Sequence, residues 1–214
     1  MRNWTVTRRI RLRNASTSLW TLTGAQLRNQ VASVEPTPGG GSVAIVTATL
    51  GVASIHKGVV VSLKKSSTSP ARHQSLLELR SKASALIASL SGLADADSHA
   101  FANYLEACAL PRATDSERTL RHTAREVGLV RATKIPLEAA EVMGRGVEFA
   151  EAAARIVDAH VRTEVLTGGI LLRASIKSLL LTVDANLSGI SDGEIRDALK
   201  RQQSELESAF VHPG

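Results

Sequence analysis

The stretch Ala94–Thr114, ADADSHAFANYLEACALPRAT, carries more structural information than any other part of this chain. As a helix it places apolar side chains on one stripe, at spacings of three and four residues. The stripe consists of Leu90, Leu93, Phe101, Tyr104, Leu105 and Cys108. Asp97 lies in the middle of this stripe, four residues before Phe101, so we expect its carboxyl group to face the interior. Asp95 lies on the other side of the helix and is expected to face water.

Asp97 has two interpretations. A carboxylate on an apolar face loses hydration, and its pKa rises unless another group compensates. Proteins prepare acid/base residues in this way, so Asp97 is the candidate catalytic residue. The alternative is a structural aspartate that only bonds to the end of a neighbouring helix.

A second informative segment is Pro36–Ser42, PTPGGGS. The prolines favour extended backbone, and the glycines allow a ligand to approach the main chain closely. Ser42 is suited to the N-cap of a helix predicted over Val43–Lys65, whose free N–H groups would attract an anion or a carbonyl. No Gly-Lys-Ser/Thr follows, so the segment is not a nucleotide-binding P-loop. A tight turn where helices cross is the alternative interpretation.

Together these segments resemble the signatures of the cyclodeaminase/cyclohydrolase family of folate one-carbon enzymes. The later segments Ile135-Pro136-Leu137 and Asn186-Leu187 fall at matching spacings. The resemblance extends from about Leu22 to about Phe210, nearly the whole chain. It implies a small-molecule folate substrate, with no metal and no separate cofactor.

The resemblance implies one of two reactions. A cyclodeaminase closes 5-formiminotetrahydrofolate to 5,10-methenyltetrahydrofolate and releases ammonia, and a cyclohydrolase opens that methenyl ring with water to 10-formyltetrahydrofolate. Both need one group to move a proton, which we assign to Asp97. The cyclodeaminase reaction comes first because Asp95-Ala96-Asp97 and Tyr104-Leu105-Glu106-Ala107 are closer to that branch. The expected substrate-binding residues are Pro38, Gly39, Gly40, Gly41, Ser42, Lys64, Lys65 and Glu164, with the two lysines attracting the glutamate tail.

Several positions depart from the family pattern. Ser62–Ser66 lacks the glycine and the aromatic residue of the family, and Asp158 stands near a family asparagine. Thr163-Glu164 replaces a Ser-Asp pair, and Thr182 replaces an asparagine. Two alternatives therefore stay open. One is a family member that closes or opens the ring of a non-folate substrate in a biosynthetic pathway, and the other is a non-catalytic helical dimer.

Composition favours an all-α fold, since 43% of the 214 residues are hydrophobic and only 3% are aromatic. We predict an orthogonal or up-down bundle of about five to seven helices, with a basic arm at residues 1–20 and a single helical domain over 21–214. The helix predicted over Val43–Lys65 is apolar almost all round. A helix without a polar face is buried on all sides. One small domain offers few such places, so we predict that a second copy of the chain covers this helix in a homodimer.

Charge is concentrated at the N-terminus. Five arginines account for all but one unit of the formal net charge of +6. They are Arg2, Arg8, Arg9, Arg11 and Arg13. The domain itself is nearly neutral, so no nucleic-acid partner is expected. We also expect no membrane partner, because no apolar run is long and charge-free enough, and a cytoplasmic location, which suits the single cysteine.

Overall fold

The computed structural model describes residues 17–64 and 69–211, and every regular element within these ranges is helical. The six α-helices are α1 (Gly24–Val31), α2 (Gly40–Leu63), α3 (Pro70–Cys108), α4 (Asp115–Ile156), α5 (Arg162–Leu187) and α6 (Gly193–Phe210). Short 3₁₀ turns at Leu19–Thr21 and Ala159–Val161 precede α1 and α5. The prediction of an all-α fold with five to seven helices is confirmed. Most of the predicted basic arm, and Lys65, lie outside the described residues.

Four long helices enclose the hydrophobic core. Helices α2 and α4 each pack on both α3 and α5, which closes a four-helix bundle, and α6 lies against α4 and α5. The fully buried side chains come from all four helices of this bundle. They include Ile45, Ile55, Leu76, Leu90, Leu137, Met143, Leu172 and Ile176.

Helix α2 is less enclosed than its composition predicts. Half of its residues are buried, but Leu50 is 58% exposed. The buried side crosses α5 closely, because a side chain at Gly168 would overlap the Gly51 carbonyl oxygen. On α5, Leu166 and Ile170 are 52% and 68% exposed and line the groove between α4 and α5. Helices α2 and α5 therefore each present large apolar side chains that a single chain leaves uncovered.

Two segments are long and apolar enough to cross a bilayer, namely α2 and Ala159–Leu187. The sequence-based statement that no apolar run has this length and composition is therefore wrong. Core helices of soluble proteins have the same character, and half of the apolar window in α2 is buried inside this chain. Length and composition alone are thus weak evidence for a membrane span.

The C-terminal end of α2 is tied to two other helices at a polar junction. Arg72 of α3 donates to the Ile156 carbonyl oxygen at 2.7 and 3.0 Å and to Asp158 Oδ1 at 2.8 Å. The Asp158 N–H donates to Ser62 Oγ at 2.9 Å. Since Ser62 is 20 residues beyond Ser42, this junction lies about 30 Å along α2 from the helix start. We call it the distal end of the bundle.

Two later helices begin at polar caps. Thr114 and Glu117 form a capping box at the start of α4. Helix α6 is capped by Asp192, whose carboxylate accepts the N–H groups of Glu194 and Ile195.

Candidate active site

Asp97 faces the interior from the middle of α3 and is 9% exposed, as predicted. Its carboxylate lies over the first turn of α2, where Ser42 Oγ donates to Asp97 Oδ2 at 2.7 Å. The backbone of Ser42 also acts on the Asp97 carboxyl group and lowers its pKa. A side chain at the N-cap normally accepts a backbone N–H group at the start of a helix.

The predicted N-cap at Ser42 is wrong. The N-cap of α2 is Gly39, which has no side chain to accept a hydrogen bond, and Ser42 is already the third helical residue. Asp97, from a different helix, places its carboxylate over this uncapped start and accepts the Ser42 hydroxyl. This contact is the helix-end bond of the structural interpretation, and it also fixes the position of a buried acid.

Burial raises the pKa of Asp97 above its ordinary value, because desolvation disfavours the charged carboxylate. The hydroxyl and the backbone of Ser42 lower this pKa, but their combined effect is smaller than that of burial. The start of α2 also favours an anion through its free N–H groups. The result is a carboxyl group that is held in one geometry and takes up a proton more readily than an exposed aspartate. These are the properties of a general acid/base.

Gly41 is required for this close approach. A Cβ atom at Gly41 would lie 2.8 Å from Asp97 Oδ2 and 2.9 Å from Oδ1, closer than van der Waals contact allows. A Cβ atom at the adjacent Gly40 would meet nothing within 4 Å. The glycine run therefore has one position where a side chain would displace the aspartate.

Asp97 opens into a cavity of about 120 Å³. Its walls come from the glycine segment and from α3, α4 and α5. The lining residues are Thr37, Gly39, Gly40, Gly41, Ser42, Asp97, Ser98, Phe101, Ala132, Thr182 and Asn186. Pockets that enclose a drug-sized ligand have about 300–1,000 Å³, so this cavity encloses only the reacting end of a larger molecule. Of the predicted glycine-segment residues, Pro38 is buried beside the cavity without lining it.

Sequence reasoning assigned no site residue to the wall formed by α4 and α5, although the family resemblance had singled out Thr182 and Asn186. Asn186 Nδ2 donates to the Ala132 carbonyl oxygen at 3.1 Å, and both residues line the cavity with Thr182. Pro136 lies inside α4, four residues after Ala132. A proline inside a helix frees the carbonyl four residues earlier, and this signal could have directed attention to Ala132.

Lys64 and Glu164 lie away from this cavity. Lys64 follows the last residue of α2, about 35 Å along the helix axis from Gly41. Glu164 accepts a hydrogen bond from Lys57 Nζ at 2.6 Å and another from Ser54 Oγ at 3.0 Å, towards the distal end. Within one chain neither residue shares a cavity with Asp97, and their role in substrate binding stays a prediction.

Asp95 is not simply solvated, in contrast to the expectation. Its Oδ1 accepts the Leu19 N–H at 2.7 Å, and Trp20 Nε1 donates to the Ser91 carbonyl oxygen at 3.0 Å. These bonds hold the 3₁₀ turn Leu19–Thr21 against α3. Asp95 therefore anchors the chain that leads into α1, on the side of α3 away from the cavity.

Larger grooves exist on the surface, but none of those identified contains Asp97. One of about 720 Å³ lies between α4 and α5, and two of about 520 and 650 Å³ lie along α3 and α4. Across residues 17–64 and 69–211, no group of three or more His, Cys, Asp or Glu side chains is arranged to hold a metal ion. The small cavity is thus where a buried acid, a glycine segment and a helix start come together.

Known proteins with similar sequences cover most of the chain. A family model described as formiminotransferase-cyclodeaminase matches residues 23–205. Methenyltetrahydrofolate cyclohydrolase of Methylorubrum extorquens is 28% identical over 186 residues, which are 86% of this chain and 86% of that protein. Formimidoyltransferase-cyclodeaminase of Gallus gallus is 28% identical over 182 residues, which are 79% of this chain and 31% of that protein.

A solved structure shows the same fold. Formiminotetrahydrofolate cyclodeaminase from Thermotoga maritima superposes with a TM-score of 0.79 at 21% sequence identity, covering 91% of this chain and 92% of that chain. At this identity the superposition establishes the shared architecture, and the family model adds the sequence relationship. On that evidence, the chain belongs to the formiminotransferase-cyclodeaminase family.

Proposed function

We propose that this protein is a one-carbon folate enzyme that cyclises 5-formiminotetrahydrofolate to 5,10-methenyltetrahydrofolate and releases ammonia. The observation that carries this proposal is the buried Asp97 carboxyl group, held by Ser42 over the start of α2 and open to a small cavity. Family membership supplies the substrate class. The cavity size supports binding of the reacting end, with the rest of the folate outside it.

The ring closure needs one proton to move twice. N10 of the folate attacks the carbon of the protonated formimino group, –CH=NH₂⁺, and forms a tetrahedral carbon between N5 and N10. Asp97 as carboxylate accepts the N10 proton, and as carboxylic acid it returns that proton to the former imino nitrogen, which is now an NH₂ group. The C–N bond to that nitrogen then breaks, ammonia leaves, and the methenyl cation remains. These steps are proton transfers and additions, so we propose that Asp97 performs them without a metal or redox cofactor.

The second candidate is methenyltetrahydrofolate cyclohydrolase. It is favoured by the relative from Methylorubrum extorquens, which matches across 86% of both chains. In that reaction water adds to the methenyl carbon and Asp97 accepts its proton. Asp97 then returns the proton to N5, the C–N5 bond breaks as the hydroxyl on the tetrahedral carbon loses its proton to solvent, and 10-formyltetrahydrofolate forms. Asp97 and the same cavity thus serve both ring closure by a cyclodeaminase and ring opening by a cyclohydrolase.

The test is turnover of both folates by the purified wild-type chain, followed by methenyl absorbance. A gain of absorbance from 5-formiminotetrahydrofolate, with ammonia release, supports the cyclodeaminase. Loss of absorbance from methenyltetrahydrofolate above the uncatalysed rate supports the cyclohydrolase. Turnover of neither folate contradicts both and favours the non-folate substrate or the non-catalytic helical dimer.

We propose a cytoplasmic homodimer joined through the exposed apolar side chains of α2 and α5. Leu50 of α2 and Leu166 and Ile170 of α5 are more than half exposed, and covering them would remove apolar surface from water. No nucleic-acid or membrane partner is part of the proposal. Light scattering should give the mass of a dimer, and Ile170→Glu should shift it towards the monomer. A monomeric wild type at micromolar concentration would contradict the dimer.

A further inference from the structure

Pro136 creates an unusual carbonyl in the wall of the cavity. Proline has no N–H, so the Ala132 carbonyl oxygen lacks its helical donor four residues later. Ala132 is 4% exposed, and a buried carbonyl without a donor is unfavourable. Asn186 Nδ2 donates to this oxygen at 3.1 Å, so a side chain of α5 replaces the missing backbone N–H of α4.

This bond determines which way the Asn186 amide is turned. The Ala132 oxygen can only accept, so the NH₂ group of Asn186 must face it and the amide oxygen must point elsewhere. Among the described residues, none donates a hydrogen bond to Asn186 Oδ1, and this oxygen is not fully buried. Asn186 lines the same cavity as Asp97. Its oxygen is therefore an unpartnered hydrogen-bond acceptor on a side chain of the cavity wall.

The cavity is small enough for both side chains to contact one reacting group. Its volume of about 120 Å³ corresponds to roughly four water molecules at about 30 Å³ each. An amide oxygen accepts a hydrogen bond but does not take up a proton near neutral pH, whereas Asp97 does both. The two side chains are therefore suited to different tasks on the same group.

We propose that Asn186 Oδ1 accepts a hydrogen bond from the nucleophile and orients it towards the carbon at which the ring closes or opens. The nucleophile is N10–H in ring closure and water in ring opening, so this inference rests on the proposed function. The proton of the nucleophile goes to Asp97, and the Pro136–Ala132 break in α4 sets the amide for this contact. Asn186 is thus a substrate-binding residue whose orientation depends on a proline in another helix.

Three variants separate this role from a purely structural one. Asn186→Ala leaves the Ala132 carbonyl without a donor, so the Tm should fall by about 2–8 °C. Its kcat should fall by about 100-fold with a smaller change in KM, because a nucleophile misplaced by about 1 Å reacts that much more slowly. Pro136→Ala restores the helical N–H, so the Tm should stay level or rise. Its kcat should fall about tenfold as the Asn186 amide is released.

The decisive variant combines both changes. In Pro136→Ala with Asn186→Ala, the helix itself satisfies the Ala132 carbonyl, so the Tm should recover from the Asn186→Ala value. The kcat should stay at the Asn186→Ala level, since the acceptor is still missing. Recovery of kcat together with Tm would show that Asn186 is only structural and overturn the inference.

Wild-type turnover in the same assay keeps the two proposals apart. If the wild type is active and the kcat of Asn186→Ala lies within threefold of the wild-type kcat, this inference is overturned and the proposed function still stands. Wild-type turnover of neither folate would overturn the proposed function and this inference with it. Pro136→Ala is expected to fold at least as well as wild type, so the comparison holds even if Asn186→Ala alone is unstable.

Discussion

Replacing Gly41 by alanine should disable the site without touching a polar group. The added Cβ atom would lie 2.8 Å from Asp97 Oδ2, and ordinary contact begins at about 3.4 Å. The carboxylate must therefore withdraw by about 0.6 Å, or the start of α2 must move by as much. Either shift lengthens the 2.7 Å bond from Ser42 and misplaces the acid.

The magnitudes follow from this displacement. A misplacement near 1 Å costs about 100-fold in rate, so we expect turnover to fall by about 10- to 100-fold. Alanine favours the helix by about 0.5–1 kcal/mol over glycine, while weakening a hydrogen bond to a charged group costs about 1.5–3 kcal/mol. The free energy of unfolding should therefore fall by about 1 kcal/mol. In an Asp97→Ala background the overlap is absent, and Gly41→Ala should become stabilising.

Gly92→Ala is the matched control, because Gly92 is an exposed glycine of α3 and a Cβ there meets nothing within 4 Å. It should raise stability slightly and leave turnover unchanged. Turnover is followed by methenyl absorbance and stability by urea unfolding. The reasoning is refuted if Gly41→Ala keeps turnover within threefold of wild type, or costs the same stability with and without the Asp97 carboxyl group.

Two further predictions concern the acid and the helix crossing. Ser42→Ala removes a hydrogen bond that lowers the pKa of Asp97, so the acidic limb of the pH–rate profile should move to higher pH. If this limb does not move, it does not report the titration of Asp97. Gly168→Ala should lower the Tm strongly because its Cβ would overlap the Gly51 carbonyl oxygen. Gly169→Ala, with ordinary contact at 3.4 Å, should change the Tm little, and equal effects in thermal melts would contradict the close crossing.

The sequence predicts local features of this protein better than long-range contacts. The periodicity of α3 places Asp97 on the inner face because both signals lie within one helix. The partner of Asp97 was not predictable in this way, since Ser42 is 55 residues away and local rules assign it to the N-cap. Only the packing of α2 on α3 shows that the aspartate lies over the start of α2 and accepts the Ser42 hydroxyl.

The contact of Asn186 with Ala132 is a second long-range contact that the sequence does not predict. A proline inside α4 predicts a free carbonyl at Ala132, but not which side chain satisfies it. The assignment of Lys64 to the same site as the glycine segment, in contrast, conflicts with the helix length that the sequence itself predicts. The helix predicted over Val43–Lys65 places Lys64 about 30 Å from its start, which a single continuous helix cannot shorten.

The burial of Asp97 also predicts how the stability of the protein depends on pH. Burial raises the folded-state pKa of Asp97 above its unfolded value, so its charged form costs stability as the pH rises through the unfolded pKa. Asp97→Asn removes that cost. Its Tm should therefore equal or exceed the wild-type Tm near neutral pH, and the gain should disappear below about pH 4, where the carboxyl group is protonated in both states.

Turnover by Asp97→Asn tests the central claim most directly. The amide keeps the shape of the side chain but cannot accept and return a proton, so turnover on the active folate should fall by about two to four orders of magnitude with the Tm level or higher. Asp95→Asn is the matched control, because its oxygen can still accept the Leu19 N–H outside the cavity. Near-normal turnover by Asp97→Asn, or equal losses in both variants, would contradict Asp97 as the acid/base residue.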